Sequence, residues 1–183
     1  MTISKTSEIT TSGLRTNNPS QDYLLEAKVP KFLGCLISDY DGKTLLIFEF
    51  YKGAMEYFIK QNLSKKKRNN FDLELVPMFI SAINKYSVEL YDKNIIDIHM
   101  FGHNIKMKSI LHFDKYIITF FLNPATKFED YQEEVVLFFS TMFRSYYKEL
   151  EVYNEFCHDP KNIFSEIEKL GNLWIQKLSS DSI

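Results

Sequence analysis

Cysteine, proline and glycine are all scarce in this chain of 183 residues, with two, five and six of each. Two cysteines, Cys35 and Cys157, cannot build a disulfide framework, so the fold rests on its core and suits a reducing compartment. So few glycines and prolines leave little room for long irregular connections beyond the N-terminus. No run approaches the roughly 20 apolar residues of a membrane span. The N-terminus has no apolar stretch of the secretory type, and Thr2 stands where N-myristoylation needs glycine. A net charge of −2 gives no general pull toward nucleic acid or an anionic membrane. The expectation is a cytoplasmic protein, at most peripheral to a membrane.

Motifs that carry chemistry are scarce as well. There is no G-x-S-x-G, no Walker-type glycine loop, no H-E-x-x-H and no paired C-x-x-C. His99 and His103 straddle a turn, and His112 and His158 are isolated. No catalytic residue, metal or cofactor is expected. Aromatic residues do not interleave with basic ones in the manner of an RNA-binding motif.

What the chain does have is rings and apolar strands. Sixteen Phe and eleven Tyr favour a dense core. Residues 1–25, rich in Ser, Thr and Asn, read as a flexible tail ahead of a single domain over 26–183. Asp41-Gly42 separates two apolar runs, Phe32 to Ser38 and Lys43 to Phe50, and this pairing signals a hairpin. The second run is apolar on both faces, which requires a sheet covered on both sides. Residues 51–70 stay undecided between helix and extended strand, with Lys65, Lys66, Lys67 and Arg68 as a basic loop. Leu73, Val76, Phe79, Ile80, Ile83 and Ser87 predict a helix from Asp72 or Val76 to about Leu90, with Pro77 tolerated early.

Three short-linked strands follow, Ile95 to Phe101, Ile105 to Phe113 and Tyr116 to Leu122. Such tight connections make an antiparallel meander. Thr126 and Glu129 have capping-box spacing ahead of a helix to about Tyr153. Asp159-Pro160 opens a last helix, from about 160, whose apolar face holds Ile163, Ile167, Leu170, Trp174 and Leu178. The order β-β-α-β-β-β-α-α predicts an α+β fold. A five-stranded antiparallel sheet would carry one helix on one face and two on the other.

Asp39-Tyr40-Asp41-Gly42 resembles the first motif of haloacid-dehalogenase phosphatases, with Asp39 as nucleophile and Asp41 as proton donor. It departs from that motif at Lys43, where the family places Thr or Val. The same letters also serve a hairpin turn. A domain sensing a small molecule among the many rings is a further alternative.

Asp41-Gly42 and the stretch from Leu73 to Leu90, with Phe79-Ile80-Ser81-Ala82-Ile83 and Glu89, resemble the longin/roadblock/profilin-like group. The resemblance spans about residues 32–155. It implies a non-catalytic scaffold that dimerises or serves small GTPases in regulation and vesicle trafficking. Its implied partner face is the second strand with the helix after Asp72. The candidate contacts are Lys43, Thr44, Leu45, Ile47, Glu49, Ser81, Asn84 and Lys85. Lys65, Lys66, Lys67 and Arg68 are candidates for an acidic partner or membrane headgroups.

Overall fold

Asp41-Gly42 lies at the tip of an antiparallel hairpin of β1 (Phe32–Asp39) and β2 (Thr44–Glu49). The computed structural model describes residues 29–61, 63–91, 97–102, 104–113, 115–156 and 161–180. The tail, His103, Cys157, His158 and the Asp159-Pro160 cap lie outside the described residues. Gly42 takes φ +85° at the tip, which an L side chain adopts only with strain.

The predicted meander is present as β3 (Asp97–Phe101), β4 (Lys106–Phe113) and β5 (Tyr116–Leu122). All five strands pair antiparallel in the order β2-β1-β5-β4-β3, so β2 and β3 form the edges.

Both faces are covered, as the doubly apolar second strand requires. Residues 51–70, undecided from the sequence, fold as α1 (Ala54–Gln61) and the single turn α2 (Lys65–Arg68). The basic cluster is therefore helical rather than a loop. Glu49 starts α1, its carboxylate accepting from the Gly53 and Met55 N–H groups at 2.7 and 3.1 Å. The next helix, α3 (Leu75–Tyr91), holds Pro77 in its first turn, where backbone N–H groups have no intrahelical partner. Helices α1 and α3 share one face of the sheet. There Met55 and Phe58 meet Leu33, Leu36 and Phe121, and Ile80 meets Leu111 and Ile117.

The other face carries α4 (Gln132–Ser145), α5 (Tyr147–Phe156) and α6 (Lys161–Ser180). The single helix expected to run to Tyr153 is broken at Tyr146, whose backbone leaves helical geometry at φ −116°, ψ 22°. Thr126 is not a cap. Its hydroxyl donates to the Lys31 carbonyl at 3.1 Å, and a short 3₁₀ turn, Phe128–Tyr131, leads into α4 instead. Phe48, Phe120, Phe139 and Trp174 fill this layer edge to face and by stacking.

Helix α6 crosses β1 and β2 closely. Gly171 makes that approach possible, because a Cβ there would lie 2.3 Å from the Phe48 ring. Its cost as a helix breaker is thus tied to a packing role. The apolar face of α6 is also shifted from the expected one: Phe164, Ile167, Trp174, Ile175 and Leu178 are buried, whereas Leu170 is exposed.

Candidate interaction surface

The two aspartates of the hairpin are committed to the turn and to α3. Asp39 Oδ1 accepts from the Asp41 and Lys43 N–H groups at 2.9 and 2.8 Å, and the Gly42 N–H donates to the Asp39 carbonyl at 3.2 Å. Asp41 is exposed and pairs with Lys85 at 2.8 Å. The hydrogen bond from Lys85, reinforced by its charge, holds the Asp41 carboxyl below the usual carboxylate range. One carboxylate organises a tight turn and the other salt-bridges a helix, so their placement is that of a turn rather than of a nucleophile and its acid.

The tip of the hairpin is also the seat of α3. A Cβ on Gly42 would fall 2.7 Å from Met78 Cα. Ser81 Oγ donates to the Tyr40 carbonyl at 2.6 Å, and the Tyr40 hydroxyl donates to the Leu111 carbonyl. Sequence spacing cannot reveal this seam, because its partners are about 40 and 70 residues apart.

The eight expected partner contacts do not form one open surface. Leu45, Ser81 and Asn84 are buried, while Lys43, Thr44, Ile47 and Glu49 are half-buried. Ser81 is bonded inward to Tyr40 and Asn84 is buried, so neither side chain is presented to a partner, in contrast to the expectation. Lys85 alone of the eight is exposed, and its ammonium is engaged by Asp41. At the end of β2, the Glu49 N–H donates to Asn172 Oδ1 of α6 at 2.7 Å, and Gln176 Nε2 donates to the Phe50 carbonyl at 2.9 Å. Helix α6 therefore occupies part of the second strand, which the resemblance implied as a partner face.

The open apolar surface lies elsewhere, on the outer side of α3. Leu75, Phe79, Tyr86 and Leu90 are 53, 52, 63 and 53% exposed, and Met78 beside them is 57% exposed. Spacings of four, seven and four put the first four on one helix face. Ile80 and Asn84 lie on the opposite, buried face. The sequence carried a signal for this, since apolar residues run all round α3. The expected stripe, however, placed Phe79 on the core side.

Beside this stripe runs a groove of about 650 Å³ between α2, the first turns of α3 and the outer strands. Leu75, Val76, Phe79, Met100 and Met107 line it, and Lys66 and Lys67 stand on its rim. The shared lining makes the α3 stripe continuous with β3, whose far side has no strand partner among the described residues. Arg68 folds back on the chain, donating to the Leu63 and Gln61 carbonyls at 2.7 and 3.1 Å at the end of α1. The basic cluster thus presents Lys66 and Lys67 outward and spends Arg68 on a helix end.

The remaining chemistry-bearing groups have local roles. His99 pairs with Asp97 at 3.2 Å on the outer strand. Lys108 is buried beneath Asp97 and Glu129, with its ammonium 4.8 Å from the centre of the Phe128 ring. Burial pushes the Cys35 thiol well above the usual thiol range, which disfavours the reactive thiolate. No group of three metal-ligating side chains occurs among the described residues. Among them, no helix is long and apolar enough to cross a membrane.

No protein-family model and no curated protein sequence matches the chain. Among solved structures, the chain is similar to the gliding protein MglB of Thermus thermophilus. Identity is 8% and the TM-score 0.40, over 55% of this chain and 67% of that one. It is also similar to a Roadblock/LC7 domain of Streptomyces avermitilis, at 9% identity and TM-score 0.44 over 69% of this chain and 97% of the other. Neither likeness says what this chain binds. The antiparallel five-stranded sheet with helices on both faces is an α+β architecture, as the element order of the sequence predicts.

Proposed function

We propose that this chain is a non-catalytic interaction module that pairs with a second copy of itself through the outer face of α3. The observation that carries this reading is the stripe Leu75, Phe79, Tyr86 and Leu90, exposed on a helix whose other face is bonded to the sheet. An aligned apolar stripe on an ordered helix favours association with a complementary surface. Edge strand β3 adjoins the same face through Met100 and can add backbone pairing. The setting, small-GTPase regulation or membrane traffic, is supported by the resemblance of the Leu73 to Leu90 stretch to longin and roadblock helices.

Fully burying a large apolar side chain contributes about 1.5–3 kcal/mol, so each half-exposed member of the stripe offers roughly 1 kcal/mol to a partner. Phe79→Asp with Tyr86→Asp removes two of these contacts and adds two charges. Sedimentation equilibrium over a concentration series tests the reading. The wild type should dimerise, and the double variant should associate at least tenfold more weakly. A wild type that stays monomeric overturns self-pairing.

A further inference from the structure

We propose that the groove beside α3 is a binding site for a long-chain carboxylate, a single acyl chain with an anionic head. The groove extends beyond its own 650 Å³. A smaller hollow of about 310 Å³ continues it, sharing the walls formed by Leu63, Phe71, Val76, Met100 and Met107. Both volumes lie in the range of about 300–1,000 Å³ usual for small-ligand sites. The site needs no second copy of the chain and does not rest on pairing through α3.

The trough has two unlike ends. Lys66 and Lys67, both exposed, line the larger part only. Asp72 stands beside them, its carboxylate accepting from the Glu74 N–H at 3.0 Å. The other end is floored by the buried Ile105 and Phe121. No described residue lining that end has a charged, hydroxyl or amide side chain. This polarity sets the orientation of the ligand: head at the two ammonium groups, tail over Ile105 and Phe121.

The same chemistry selects among occupants. A peptide laid in the apolar end would bury backbone N–H and C=O groups against side chains that offer them no partner. A methylene chain has no such groups, and each methylene removed from water favours binding. Met100 and Met107 suit it, because unbranched thioether side chains adapt to irregular apolar shapes. A bilayer is the poorer match. Recognition of a membrane by charge takes clusters of about four to eight Lys and Arg. Here Arg68 is turned back onto the Leu63 and Gln61 carbonyls, and Asp72 offsets the two lysines.

Isothermal titration calorimetry with dodecanoate on the full chain, below its micelle concentration, tests the proposal. Tyr86→Asp with Leu90→Asp is titrated alongside the wild type. Those exposed residues belong to the pairing stripe and lie outside the groove lining, so this protein reads the groove without pairing. It should bind one dodecanoate per chain, and decanoate roughly tenfold more weakly. Leu75 and Phe79 serve both groove and stripe, so in a wild type that pairs, apparent affinity should fall as protein concentration rises. Lys66→Glu with Lys67→Glu should weaken dodecanoate at least tenfold and favour dodecyltrimethylammonium instead. Met100→Trp fills the shared wall and should weaken dodecanoate at least tenfold, with thermal unfolding reporting that the fold is kept.

Absence of saturable binding by the Tyr86→Asp/Leu90→Asp protein overturns the proposal, even where the wild type dimerises. So does dodecanoate affinity unchanged by Lys66→Glu/Lys67→Glu or by Met100→Trp. Binding to phosphatidylserine vesicles without binding to free dodecanoate also overturns it, and assigns the lysines to a membrane. A monomeric wild type that binds dodecanoate overturns pairing through α3 and upholds the groove.

Discussion

Replacing Gly171 by alanine should destabilise the protein, although the same change in the middle of a helix ordinarily stabilises it. The helix-propensity gain is about 1 kcal/mol. Against it stands the Phe48 ring. The new methyl would lie 2.3 Å from Phe48 Cγ and Cδ1 and 2.4 Å from Cδ2. Carbon atoms in contact rest at about 3.5–4.0 Å, so the overlap exceeds roughly 1 Å at three atoms. Phe48 cannot turn aside easily. It is fully buried, stacked near Phe139 at 6.3 Å and set edge-on to Phe138 at 6.4 Å. Nor can α6 lift freely, because Asn172 holds the Glu49 N–H.

Overpacking of this kind costs up to about 3 kcal/mol when backbone must move, leaving a net loss of roughly 2 kcal/mol. For a chain of this size that lowers Tm by about 4–8 °C. Urea unfolding followed by fluorescence suits the test, since Trp174 is the only tryptophan and stacks on Phe138 at 4.0 Å. Gly53→Ala is the control. Nothing lies within 4 Å of its would-be Cβ, but its φ is +80°, so its loss of about 1–2 kcal/mol comes from backbone strain alone. Stabilisation by Gly171→Ala would refute the account of how α6 meets β2.

Two further predictions concern the other sheet face and the hairpin. Ser109 and Thr119 share a buried hydrogen bond at 2.8 Å, so Ser109→Ala should cost about 1–3 kcal/mol by stranding the Thr119 hydroxyl. The double change Ser109→Ala/Thr119→Val should recover most of that loss, and strictly additive denaturation energies would contradict the pairing. For Asp41, the folded carboxyl titrates below its unfolded value because of Lys85. Its contribution to stability is therefore present above the ordinary aspartate pKa of about 3.9 and fades as pH falls through the folded value. An NMR titration should show the Asp41 pKa rising toward the ordinary range in Lys85→Met, and no change would remove the Lys85 contact from solution.

The elements legible in the sequence were those whose signals are local. Asp41-Gly42 announced its hairpin by turn chemistry, and the short links after Phe101 and Phe113 fixed an antiparallel meander. The run Leu45 to Phe48, apolar on both faces, required two helical layers, and both are present. Features that depend on distant partners stayed hidden. Thr126 has the spacing of a cap, yet its hydroxyl goes to Lys31, a neighbour only in three dimensions. Lys108 lies over Phe128 beneath two carboxylates, partners that no local spacing encodes. Ser81 and Asn84 looked like helix surface, whereas tethering of α3 to the hairpin turned them inward and Phe79 outward. The phase of α3 against the sheet decides which apolar residues are core, and a helix apolar all round does not encode that phase.

The same phase makes the surface claim testable against a second patch. Leu137 and Leu173, 69 and 56% exposed, lie on α4 and α6 at the opposite side of the sheet. Sedimentation equilibrium on the wild type, on Phe79→Asp/Tyr86→Asp and on Leu137→Asp/Leu173→Asp separates the two faces directly. The account predicts a concentration-dependent dimer that the first variant weakens at least tenfold and the second leaves unchanged. A monomeric wild type, or a dimer lost only in the Leu137/Leu173 variant, would contradict it.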